Sequence, residues 1–218
     1  MFIGHFAVGF AAKRVAPKVS LGALFLSVQL VDLLWPVCLL LGLEHVRIVP
    51  GDTAVTPLDF YDYPITHSLM GVAGWSLLLG AAYFRLRGDR RGAWVMGLGA
   101  FSHYLLDAIA HRPDLFLIPG GQARVGLGLW NSVAGTVIVE GGMFVAGCAV
   151  YLRATTPMDR IGRYGTWTMM AFLTAIYAVN ILGPPPPGVT PIAVAGLAAG
   201  GLLFPWAWWV DRHRKIAG

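Results

Sequence analysis

The stretch FSHYLLDAIAH, Phe101 to His111, lies inside an apolar run, yet it sets His103, Asp107 and His111 four residues apart. An α-helix turns ~100° per residue, so the three fall within roughly 80° of one another on one face. The chain around them is built for a bilayer. Of its 218 residues 56% are hydrophobic and only 12% charged, and the mean hydropathy is +0.65. A soluble domain carries about twice that charged fraction. Several apolar runs reach the ~18–20 residues that cross a membrane.

Working outward, proline and glycine punctuate the runs as helix boundaries. They predict a short first helix over 2–13, then helices over 20–43, 64–85, 91–111, 130–153, 162–182 and 189–210. The expected fold is all-α: a polytopic membrane bundle with about six transmembrane helices plus the short N-terminal one. It forms one domain over 1–218, in which 1–112 bears the motifs and 113–218 supplies a loop and packing helices. The first segment has its charges after the apolar stretch and lacks a small-residue cleavage site, so it reads as retained. Only Cys38 and Cys148 are present, which excludes a disulfide framework or a cysteine-rich zinc site.

The net charge of +5 does not mark a nucleic-acid binder, because the basic residues sit in alternate short connections. Lys13, Arg14 and Lys18 form one group, and Arg85, Arg87, Arg90 and Arg91 a second. Arg153, Arg160 and Arg163 form a third, and Arg212, Arg214 and Lys215 the last. This alternation predicts cytoplasmic basic loops and a cytoplasmic C-terminus, with the 44–63, 112–129 and 183–188 loops outside.

Ionisable residues within apolar helices are costly, and each is a functional hypothesis. They are His5, Asp32, His67, His103, Asp107, His111 and Glu140. At ~1.5 Å rise per residue, all but His111 stand ~12 to ~27 Å above the nearest basic residue, in the middle to outer half of a ~30 Å core. Imidazole and carboxylate are the usual ligands of Zn²⁺ and related ions, and a cation also offsets the burial of the carboxylates. The alternative is a non-enzymatic metal-binding or ion- or proton-translocating protein that uses the same residue types. The inner halves of the helices, rich in Gly, Ala, Leu and Val, favour a one-sided site over a path.

In order along the chain come GHFAVG, QLVDLLWP, PITHSL and SHYLLDAIAH. This succession resembles the bacterial inner-membrane metal-dependent hydrolases of the YdjM type, which are distantly similar to zinc-dependent phospholipase C and zinc nucleases. The resemblance implies His5, Asp32, His67, His103 and Asp107 as ligands, with Glu140 a sixth candidate, around one to three divalent ions, Zn²⁺ first. Asp107 would bridge two ions, and Asp32 or Glu140, whichever is not a ligand, would act as general base. The sequence departs from the pattern in four places. The acidic segment keeps only Asp32 where the family often shows two acids and a histidine. His111 follows Asp107 too closely, Thr136 stands where a histidine would pair with Glu140, and Tyr63-Pro64-Ile65 replaces an Arg-Gly.

Around these residues, Gln29, Ser68 and His111 are expected to support the ligands through hydrogen bonds. Arg124, Asn131 and Tyr61 are expected to meet the substrate at the outer mouth, where Arg124 would bind a phosphate or carboxylate. Tyr61, Tyr63 and Trp130 serve equally well as interfacial anchors. An outer-half site opening near headgroups suits a lipid or lipid-linked small molecule as substrate, membrane lipid as surroundings, and a bacterial inner-membrane location.

Overall fold

The computed structural model describes residues 1–217, and helices dominate it. The first two are α1 (Ile3–Val15) and α2 (Leu21–Val28), and α3 (Leu30–Leu40) follows at once. A hairpin of β1 (His45–Ile48) and β2 (Leu58–Asp62) leads to α4 (Pro64–His67), α5 (Leu69–Arg87) and α6 (Arg90–Ala110). Strands β3 (Leu115–Phe116) and β4 (Arg124–Val125) then form a small ladder before α7 (Val133–Ala154). After β5 (Thr155–Pro157) and a π turn over Ile161–Gly165 come α8 (Thr166–Leu182), α9 (Val189–Arg212) and β6 (Arg214–Ile216), which pairs antiparallel with β5.

Among the described residues, four helices are long and apolar enough to cross a membrane: α5, α7, α9, and α8 with its π turn. A fifth is added if α2 and α3 count as one broken span. Four or five candidate spans thus stand where about six were expected. The helix over Arg90–Ala110 has the length, at 21 residues, but its arginines, glycines, His103 and Asp107 keep it below the same standard.

Two expected single helices are broken, each beside a ligand candidate. The run over 20–43 bends by 56° at Gln29, where the Gln29 N–H is shared between the Phe25 and Ser27 carbonyls. Pro36 inside α3 has no N–H to give to the Asp32 carbonyl, which loosens the same turn. The run over 64–85 breaks at Ser68, whose backbone is extended and whose Oγ accepts from the Gly71 N–H.

Small residues bring the helices close, as in many membrane bundles. Gly147 of α7 lies against the Ala7 backbone of α1, Gly99 of α6 against Ser27 of α2, and Gly97 of α6 against the Ser76 carbonyl of α5. The main core joins α1, α2, α7, α8 and α9 through Phe6, Phe10, Phe25, Phe144, Tyr151, Met169 and Leu203. A second core under the hairpin gathers Val31, Trp35, Tyr63, Val72, Tyr104 and Leu115.

At the end where α1 stops, Lys13 Nζ lies 2.6 Å from Asp211 Oδ2, which also accepts from the Leu21 N–H at 3.0 Å. The Tyr151 hydroxyl donates to Asp211 Oδ1, also at 3.0 Å. Nearby, Arg214 donates to Thr155 and to the Gly162 carbonyl. Lys13 and Arg214, read above as loop and tail charges, are buried structural groups.

Candidate metal centre

At the other end of α1, five of the predicted side chains converge. Two overlapping sets, His5 with His103 and Asp107, and Asp32 with His67 and His103, each bring their ligand atoms within 4.8 Å of one another and could hold a metal ion. His103 belongs to both. Its Nε2 stands 3.1 Å from Asp107 Oδ2 and 3.5 Å from Asp32 Oδ1. His67 Nε2 lies 3.3 Å from Asp32 Oδ1 and 4.0 Å from Asp107 Oδ2. With ligand atoms ~2.0–2.2 Å from a zinc ion, the edges of a tetrahedron are about 3.4 Å, and these four separations bracket that value. Two carboxylates would also balance the charge of one divalent cation.

The tautomers agree with this use. His103 Nδ1 is 2.7 Å from the Val28 carbonyl. A carbonyl only accepts, so Nδ1 carries a proton, and in the neutral ring Nε2 presents a lone pair. Among the described residues, that buried Nε2 makes no hydrogen bond despite its two carboxylate neighbours. The break at Gln29 places Val28 at the end of α2, where its carbonyl escapes the helical ladder and becomes available. His5 stacks on His103, with ring centroids 3.7 Å apart and planes 3° from parallel, and its Nε2 is 3.1 Å from Asp107 Oδ1. The amino nitrogen of Met1 is 2.5 Å from the same oxygen.

A cavity of about 90 Å³ opens onto this cluster, walled by Asp32, His67, Asp107, Trp35, Phe60, His111 and Trp130. His111 sits beyond the ligands. Its Nδ1 is 3.0 Å from Asp114 Oδ1, which also accepts from the Tyr63 hydroxyl at 2.8 Å, and Trp130 lies against its ring at 4.3 Å. Further out, Arg112 is held by Asp52, Asp59 and Asp114.

Several other candidates lie away from the two ligand sets or make other contacts. Glu140 accepts from the Phe2 N–H at 2.8 Å and the Gly4 N–H at 3.3 Å. It secures the start of α1, where the orphan N–H groups and helix dipole favour a carboxylate, and it stands outside both ligand sets. Ser68 caps α5. Gln29 marks the helix break, and its buried Oε1 finds no partner among the described residues.

The substrate-facing trio is also placed elsewhere, since Arg124, Asn131 and Tyr61 do not wall the cavity. Arg124 pairs with Phe116 across the β3–β4 ladder, and its guanidinium lies 3.5 Å from that ring. Asn131 is exposed in a 3₁₀ turn. Alternation along β2 sends Phe60 to the cavity and Tyr61 outward, where it sits under Arg47.

Sequence reasoning missed Glu44 and Thr66. Glu44 is a buried carboxylate that accepts from the Thr66 hydroxyl, and it looked like one more acid in a polar loop. Trp35 and Phe60 were missed as well, for their types carry no signal of a cavity wall.

The family described as YdjM inner membrane protein matches residues 63–186, more than half of the chain. The chain belongs to the YdjM inner-membrane family. The matched span contains His67, His103 and Asp107 of the YdjM chain, whereas His5, Asp32 and Glu44 come from the segment before it. No curated protein and no solved structure matches.

Proposed function

We propose that this YdjM-family chain is a membrane-embedded metal-dependent hydrolase that cleaves a phosphoester or a lipid-linked substrate. One observation carries the reading. His103 gives its Nδ1 proton to the Val28 carbonyl, which in the neutral ring leaves Nε2 a lone pair, and that buried Nε2 faces two carboxylate oxygens with no hydrogen bond to either. Three electron-rich atoms so close in a buried site call for a cation among them.

His67, His103, Asp32 and Asp107 would hold the ion, Zn²⁺ first by the mixed imidazole and carboxylate donors. When bound, it supplies Lewis acidity toward a water and a phosphoryl oxygen. The protein does the rest. His5 Nε2–H donates to Asp107 Oδ1 and so directs Oδ2 toward the cluster. Asp32 keeps its side chain 38% exposed toward the cavity, with Oδ1 facing both histidines. Its other oxygen would take the proton of the attacking water. Trp35, Phe60 and Trp130 form an apolar wall that limits bulk water. In a membrane, α6 would complete six crossings, and the end rich in Lys and Arg would face the cytoplasm together with the C-terminus, leaving the cluster in the outer half of the inner membrane beside lipid headgroups.

The location favours lipid-linked over water-soluble substrates. The apolar core of Phe6, Phe10, Phe25 and Tyr151 stands between the cluster and the Lys13–Asp211 end, which favours a one-sided site over ion or proton translocation.

The test is turnover of a panel of phospholipids and lipid-linked phosphates by purified protein in proteoliposomes with added Zn²⁺ or Mn²⁺. Turnover that chelator abolishes and that Asp32→Asn lowers by ~10²-fold or more supports the reading. A protein that binds metal tightly but cleaves nothing in the panel refutes hydrolysis and leaves the metal centre standing.

A further inference from the structure

We infer that Glu44, acting through Thr66, is the positioning residue that fixes His67 as a metal ligand. This rests on the metal reading of the cluster. Glu44 lies just beyond α3, 23 positions before His67, and is 1% exposed. Its Oε1 accepts from the Ile65 N–H at 2.7 Å and the Thr66 N–H at 2.8 Å. Pro64 has no N–H, so these are the first two donors of the α4 turn.

Were that all, Glu44 would be a helix cap. Its second oxygen does something else. Oε2 accepts the Thr66 hydroxyl proton at 2.7 Å. A threonine hydroxyl has one proton, so the short contact from Thr66 Oγ1 to His67 Nδ1, 2.7 Å, can be filled only by a proton on Nδ1. In the neutral ring this sets the His67 tautomer: Nδ1–H donates to Thr66, and Nε2, 3.3 Å from Asp32 Oδ1, turns its lone pair toward Asp32 and Asp107. No cation pairs with Glu44 among the described residues, so its charge is met only by this chain of neutral donors leading to the cluster. A carboxylate at the far end of such a relay orients the ring and raises the basicity of the ligating nitrogen.

The relay makes an asymmetric prediction about three variants. Thr66→Ser keeps the hydroxyl and retains wild-type zinc affinity. Thr66→Val keeps the volume and the backbone bond to Glu44 but leaves Nδ1–H without an acceptor, and loses 10–100-fold in affinity. Glu44→Gln keeps an acceptor for the two N–H groups. Its amide donates to Thr66, however, so the hydroxyl proton turns to His67 Nδ1 and drives the ring proton onto Nε2. It loses at least as much.

The measurement is zinc affinity of the purified full chain by competition with a chromophoric chelator, beside the melting temperature of each metal-free protein. Loss in Thr66→Val and Glu44→Gln, recovery in Thr66→Ser and similar metal-free melting temperatures establish the positioning role. Wild-type affinity in both deficient variants overturns it, as does loss that only follows the melting temperature. A wild type that binds no zinc overturns the metal reading itself, so the two failures are told apart.

Discussion

Replacing Asp211 with asparagine tests how the end of the bundle opposite the cluster is held. Asp211 lies near the C-terminus of α9, yet it meets Lys13 from α1, the Leu21 N–H that opens α2, and the Tyr151 hydroxyl from α7. Both charged side chains are nearly sealed, Lys13 at 7% and Asp211 at 6% exposure. In Asp211→Asn the amide keeps one acceptor oxygen for the three donors, and the Lys13 ammonium loses its counter-charge while keeping the Val19 carbonyl at 2.9 Å. Leaving a buried charge without its partner costs about 3–5 kcal/mol. A surface pair would be worth ~0–1 kcal/mol.

Removing both charges, as in Lys13→Met with Asp211→Asn, should recover part of the loss, because the uncompensated ion disappears. The assay is equilibrium unfolding in mixed micelles of wild type, both single variants and the double variant, read as a mutant cycle. A cost below ~1 kcal/mol for Asp211→Asn, or strictly additive single effects, would refute the account of this end as a buried four-way junction.

Two other predictions concern what does and does not shape the cluster. Gly147→Leu has no room against the Ala7 backbone. It should push α1 from α7, cost ~1–3 kcal/mol in the same unfolding assay, and weaken zinc binding by displacing His5 and the Glu140 contacts; unchanged stability would contradict the close packing. Arg124→Ala should leave zinc affinity and turnover at wild-type values, since its guanidinium lies on Phe116 outside the cavity wall. A selective loss of turnover would return Arg124 to a substrate-binding role.

What the sequence made legible follows from the physics of each feature. His103 and Asp107 share a helix, so spacing alone places them together. The price of burying charge in an apolar helix flagged His5, Asp32 and His67, and the structure brings them to the same point. Contacts between chain-distant residues left no such trace. Glu44 sits in a loop where acids are common, and nothing local shows that it turns inward to Thr66. Lys13 and Asp211 are 198 residues apart, so each resembled a membrane-flanking charge.

The breaks at Gln29 and Ser68 were hidden for another reason. Both interrupt runs that are apolar on average, and mean hydropathy does not register a change of axis. Glu140 was legible as a buried carboxylate but not as the partner of two backbone N–H groups, for any chain segment can supply such donors.

The central claim is that His67, His103, Asp32 and Asp107 hold a divalent ion. The most direct test is metal content by mass spectrometry of protein purified without chelators, for wild type, His103→Ala and Asp107→Ala, each shown to be monodisperse. The account predicts at least one equivalent of zinc or a related divalent metal in the wild type and its loss in both variants. A wild type that carries none and takes up none when metal is added would contradict it, and the cluster would then be an ion-paired network with His103 as an imidazolium between two carboxylates.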